Sequence, residues 1–121
     1  MSIPNEALQK LVQEIESRAV TAQQQINVVK AQISAKQRDS RLLQLTSSEI
    51  GSLPAGTNVY EGVGKMFVAS PIPNVDKRLT SESGTLKTDI TNLEKKLTYL
   101  ETTHKNSLDH IEQIFKSGGK A

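Results

Sequence analysis

At 121 residues the chain has the length of one domain. Aromatic residues make up 3%, Trp is absent and hydrophobic residues total 36%, so a compact core would lack its usual large fillers. Its 15 basic and 13 acidic residues leave a net charge of +2, which disfavours a nucleic-acid binder with Lys and Arg clustered on one face.

Cysteine is absent, which removes disulfides, thiol catalysis and zinc–thiolate sites together and fits a reducing compartment. The opening "MSIPNEALQK" has no apolar core of signal-peptide length. No run of about 18 apolar residues is present, so no membrane-spanning helix is expected. The expected location is cytoplasmic, with neither nucleic acid nor membrane as a partner.

The first arm, about residues 6–45, follows a 3-4 spacing. Leu8, Val12, Ile15, Ala19, Ala22, Ile26, Val29 and Ile33, continued by Lys36, Ser40 and Leu43, form one seam of alternating a and d positions, as in a coiled coil. Pro4 and Asn5 stand where a helix start tolerates them. Glu6 with Lys10 and Glu14 with Arg18 are i,i+4 pairs in the favourable order, each predicted to add a few tenths of a kcal/mol. The basic stretch Lys30–Arg41 is interrupted by Asp39 and reads as a solvated helix face.

The pattern changes over residues 46–73. "TSSEIGSL" carries Thr46 with Glu49 three residues on, a capping-box spacing that predicts a separate helical turn or two ended by Pro54 and Gly56. "TNVYE" and "KMFVAS" then read as strands around a turn at Gly62-Val63-Gly64. Pro71 and Pro73 are expected to close the second strand.

The second arm, about residues 75–116, repeats the seam through Leu79, Ser83, Leu86, Ile90, Leu93, Leu97, Leu100, His104, Ser107, Ile111 and Ile114. Leu108 and Phe115 broaden it, and Gly118-Gly119 stops it. Glu101 with Lys105 and Glu112 with Lys116 are further i,i+4 pairs. Gly84 costs about 1 kcal/mol in a helix interior, so the first turns of this arm are expected to be loose or the arm to begin later. Nearly equal arms and a short connector predict a mainly α fold: an antiparallel two-helix coiled coil whose helices are joined by a β-hairpin, with both termini at one end.

Val59, Tyr60, Val63, Met66, Phe67 and Val68 concentrate bulky apolar side chains in this connector. Met66, Phe67 and Val68 are consecutive, so both faces of that strand are apolar and expect cover. A lone two-stranded hairpin is marginal in water. Each such side chain contributes about 1.5–3 kcal/mol once buried. These six residues are therefore the expected assembly site, where hairpins from several chains join in an intersubunit sheet or barrel that also hides their edges.

Motifs for chemistry fail. "GVGK" lacks the P-loop's first Gly, where Val59 stands, and its Ser or Thr, where Met66 stands. A dinucleotide fingerprint would need Gly at Phe67. The glycines read instead as turn residues. His104 and His110 are six apart with no ligand cluster nearby, and carboxylates are scattered on solvated faces. No catalytic residue, metal ligand or cofactor is expected, and the chain does not read as an enzyme.

Two coiled arms joined by one hairpin resemble a prefoldin subunit of the β class, since the connector has room for only one pair of strands. "LTSSEIGSL" followed by "TNVYEGVGKMFV" is similar to the eukaryotic subunit 1 group of that family. The arms match by pattern over about residues 6–116, within a single domain spanning 1–121. Gly84 and the Pro71-x-Pro73 pair depart from the family's usual pattern.

The resemblance implies an ATP-independent chaperone. Two α-class and four β-class subunits form a heterohexamer with a double β-barrel body and six coiled coils hanging from it. It captures unfolded polypeptides, notably actin and tubulin, and passes them to the cytosolic group II chaperonin. Client contact at the coiled-coil tip would fall to Ile3, Leu8 and Leu11 from one arm and Leu108, Ile111, Ile114 and Phe115 from the other. For Leu8 and Ile111 seam packing is an equal reading; Leu11, Leu108 and Phe115 lie off the strict seam. The alternative is a structural or tethering coiled coil whose arms pair with another chain's.

Overall fold

A computed structural model describes residues 4–118. Four elements follow in order: helix α1 over Asn5–Gly51, strand β1 over Val59–Val63, strand β2 over Met66–Ser70 and helix α2 over Ile72–Gly118. Two compact units are present, a terminal unit from the chain up to Ile33 with the chain from Leu93 onward, and a hairpin unit over Ser34–Asn92.

In the terminal unit the 3-4 seam is the core. Ile15, Ala19, Ala22, Ile26, Val29 and Ile33 are all buried along α1. Ile26, Val29 and Ile33 form one cluster with Leu100 of α2, and Leu93 and Leu97 pack against it. The helices are antiparallel, as the short connector requires. Half-buried Leu8, Val12, His104, Ser107, Ile111 and Ile114 extend the same stripes. Small Ala19 and Ala22 suit a stripe that meets only one partner helix.

In the hairpin unit the seam weakens to Lys36, Ser40, Leu43, Ser83, Leu86 and Ile90, all half-buried. Lys36 still reaches across the helix pair, its Nζ 3.5 Å from Asp89 Oδ2. Its stem covers apolar surface while the ammonium stays wet. The best-enclosed apolar residues of this unit are Val75 and Leu79, at 2% and 3% exposure.

Both helices run further towards the hairpin than the periodicity indicates. α1 continues to Gly51, so "TSSEIGSL" is mostly its last turns rather than a separate helix. Thr46 is an interior residue, not a cap: its Oγ1 donates to the Leu42 carbonyl at 2.8 Å. The last carbonyls are closed by Ser52 N–H to Ser48 and Glu49, Leu53 N–H to Ile50 and Ser52 Oγ to Glu49. Thr57 N–H then donates to the Pro54 carbonyl at 3.2 Å, with Gly56 at φ 86° where a type II turn needs positive φ.

α2 begins at Ile72, so Pro71 and Pro73 open the helix. The Pro71 carbonyl accepts from the N–H groups of Asn74 and Val75, while Pro73 sits in the first turn, where an N–H has no intrahelical partner anyway. Gly84 does not loosen this arm. The helix is continuous through it, and a Cβ there would meet nothing within 4 Å. Of the four i,i+4 ion pairs expected, Lys116 with Glu112 closes at 3.3 Å; the other three are open among the described residues.

β1 and β2 pair antiparallel in the register Val59↔Ser70, Tyr60↔Ala69, Glu61↔Val68, Gly62↔Phe67 and Val63↔Met66. That register makes the loop Gly64-Lys65, two residues, rather than Gly62-Val63-Gly64. Gly64 has φ 61° and Lys65 does not, the pattern of a type II′ turn.

Candidate functional site

Alternation along the strands sorts the hairpin into two faces. One carries Tyr60, Gly62, Phe67 and Ala69; the other carries Val59, Glu61, Val63, Met66, Val68 and Ser70. On the first face Phe67 Cε1 lies 3.9 Å from where a Cβ of Gly62 would stand, so the ring lies close to the bare backbone opposite it. Phe67 is 79% exposed, and Tyr60 is exposed beside it.

The second face is tied to α2 at one end. Arg78 Nη1 is 3.2 Å from Glu61 Oε1, and Arg78 Nε is 3.8 Å from Glu82 Oε1, so one guanidinium links strand and helix. At half exposure the link adds no more than about 1 kcal/mol, but it fixes which face turns towards α2. Val59 is half-buried there, whereas Val63, Met66 and Val68 remain exposed. The two faces together expose five large apolar side chains in ten strand residues. A patch of this kind marks an interaction surface.

The terminal unit holds the residues expected at the tip. Leu8, Leu11, Ile111 and Ile114 are half-buried, while Leu108 and Phe115 are exposed, Phe115 at 60%. Ile3 lies outside the described residues. Leu11 precedes Ile26 by fifteen residues and Phe115 follows Leu100 by fifteen, so the antiparallel register brings the two level. Leu108, seven residues before Phe115, is on the same side of α2.

Sequence reasoning missed other exposed apolar residues: Val20, Val28 and Tyr99 in the terminal unit, and Leu42, Leu45 and Leu53 in the hairpin unit. Their signal was available as apolar residues outside the a and d positions. An open groove of about 250 Å³ beside Val28 and Val29 is lined otherwise by Gln24, Gln25, Gln32 and Lys96. It is open and smaller than the usual small-molecule pocket. His104 is half-buried on the seam and His110 is exposed. No helix is long and apolar enough to cross a membrane among the described residues.

Comparison with known proteins gives the same architecture a family. The family model described as "Prefoldin subunit" matches residues 13–118. A probable prefoldin subunit 1 of Schizosaccharomyces pombe is 36% identical over 110 residues, covering 91% of this chain and 98% of that protein. Prefoldin subunit 1 of Homo sapiens is 31% identical over 107 residues, 88% of each chain. The crystal structure of the prefoldin beta subunit from Thermococcus strain KS-1 superposes with a TM-score of 0.79 at 25% identity, covering 85% of this chain and 90% of that one. With two paired helices, one hairpin and a match along most of its length, the chain belongs to the prefoldin subunit family.

Proposed function

We propose that this chain is a non-catalytic, ATP-independent chaperone subunit of the β class. It joins two α-class and three other β-class subunits through its hairpin, in an intersubunit β-barrel. The assembly holds unfolded polypeptides, actin and tubulin among them, and delivers them to the cytosolic group II chaperonin. Family membership supports the chaperone-subunit role and assembly with other prefoldin subunits.

The observation that carries the reading is the hairpin exposed on both faces at once. A two-stranded sheet with its apolar side chains in water is poorly stabilised alone. Strands from neighbouring subunits would cover Tyr60 and Phe67 on one face and Val63, Met66 and Val68 on the other, while pairing the free edges. The tethering alternative has less support, because the arms pair with each other within one chain through the Ile26–Leu100 cluster and the Lys36–Asp89 contact.

The test is reconstitution with partner subunits of the family. Phe67→Asp places an unpaired charge in the shared sheet at a cost of several kcal/mol. The variant should stay helical by circular dichroism yet fail to enter the complex by size exclusion with light scattering. The unaltered complex should suppress aggregation of denatured actin with no nucleotide present. Normal assembly of Phe67→Asp removes the hairpin as the joining site, and a strict need for ATP removes the passive holding role.

A further inference from the structure

We propose that the subunit interface does not stop at the hairpin but continues onto the outer face of α1 at Leu42 and Leu45, where a neighbouring prefoldin subunit covers them. The proposal rests on the hairpin reading above and extends it to a second element.

The hairpin's exposed apolar side chains are Tyr60, Val63, Met66, Phe67 and Val68. With aromatic side chains at 150–250 Å² and aliphatic ones less, their exposed parts offer on the order of 600 Å² over two faces. A standard-size interface takes about 800 Å² from each partner, polar and apolar together, of which roughly 450 Å² is apolar. A subunit set between two neighbours needs more than one such surface, so the hairpin alone falls short.

The remaining large apolar side chains exposed in this unit lie on α1 and just after it. Leu42 and Leu45 are 58% and 57% exposed, three residues apart on one face. At 100° per residue Leu45 stands across the helix from half-buried Leu43, so the coiled-coil seam cannot cover it. Leu53, also exposed, follows where α1 ends. α2 differs within the same unit: over residues 72–92 it has no large exposed apolar side chain among the described residues. Its outward residues include Lys77, Thr80, Ser81, Glu82, Thr85 and Lys87. Within the hairpin unit α1 thus exposes two leucines among polar neighbours such as Arg38, Asp39, Arg41 and Glu49, where α2 exposes no large apolar side chain among the described residues. An apolar pair inside a polar surround has the core-and-rim pattern of an interface.

The chain lacks cysteine, so a single introduced thiol reports its own burial. Leu45→Cys should be alkylated readily in the free chain and about tenfold or more slowly in the complex, while Thr85→Cys reacts at the same rate in both. Leu42→Gln with Leu45→Gln keeps good helix formers and should raise the concentration at which the complex dissociates by about tenfold or more. Unchanged reactivity of Leu45→Cys on assembly overturns the proposal, and if Phe67→Asp abolishes assembly in the same series the hairpin reading survives alone. Normal assembly of Phe67→Asp overturns both. Protection of Leu45→Cys with loss of assembly in Phe67→Asp supports both.

Discussion

The glycines of this chain are constrained to different degrees, and the local backbone decides how far. Gly64 has φ 61°, a conformation an L side chain enters at a cost of about 1–2 kcal/mol. Gly62 has ordinary strand geometry, and a Cβ there would meet the Phe67 ring at an ordinary contact distance of 3.9 Å. Gly84 sits on an open helix face with neither constraint. Gly84→Ala should therefore stabilise the chain by roughly 0.5–1 kcal/mol, since it removes backbone freedom from the unfolded state and adds no clash. Urea denaturation followed at 222 nm checks this; a lower midpoint would mean that the bare backbone there is required. Gly64→Val and Gly64→Ala should instead both weaken assembly, because the first position of a type II′ turn combines positive φ with an extended ψ that L side chains disfavour. The same light-scattering titration reads both.

At the scale of the helices, adjacent residues separate core from surface. Val29 is 2% exposed within the Ile26–Leu100 cluster, while Val28 is exposed beside it. Val29→Ala should cost about 1–3 kcal/mol, since a cavity in so thin a core cannot be refilled, and Val28→Ala should stay within about 0.5 kcal/mol. Thermal melts of the two variants compare them directly, and equal shifts would contradict the seam. That seam was legible in the sequence from Leu8 to Leu43 and from Leu79 to Ile114, because a 3-4 spacing has one structural solution when only one partner helix is available. The helix ends were less legible. Thr46 and Glu49 have the spacing of a cap, yet hydrogen bonding back to Leu42 lets Thr46 serve inside a helix equally well. Pro71 and Pro73 look like breakers, yet Pro71 stands just before α2 and Pro73 is harmless in its first turn. The buried seam of α2 therefore reaches back from Leu79 to Val75. The hairpin's two apolar faces were legible from Met66-Phe67-Val68, whereas the exact loop was not, since Gly62 and Gly64 are both able to supply a turn. Leu42 and Leu45 went unread because periodicity identifies one stripe per helix and says nothing of a second.

At the scale of the whole molecule, the proposed function asks weak surfaces to retain a client. Leu108 and Phe115 are exposed, and Leu11 is half-buried at the same level as Phe115. Each offers about 1–3 kcal/mol to an apolar client segment, which barely offsets the cost of ordering a flexible chain. One subunit should therefore bind an unfolded polypeptide poorly. Several subunits around one cavity convert a second contact into an intramolecular event, so retention grows through effective concentration and not through a deep pocket. Replacing Leu11, Leu108 and Phe115 with Ser should leave assembly intact, since these residues belong to the terminal unit and not to the hairpin. Suppression of aggregation of a denatured client should fall only in part, because the other subunits keep their own apolar ends, and ATP should make no difference. The measurement is light scattering of diluted denatured actin with wild-type and variant complexes at equal concentration. Full holding activity in an intact triple-variant complex would place the client surface elsewhere, with Val20, Val28 and Tyr99 the next exposed apolar residues of that unit to replace.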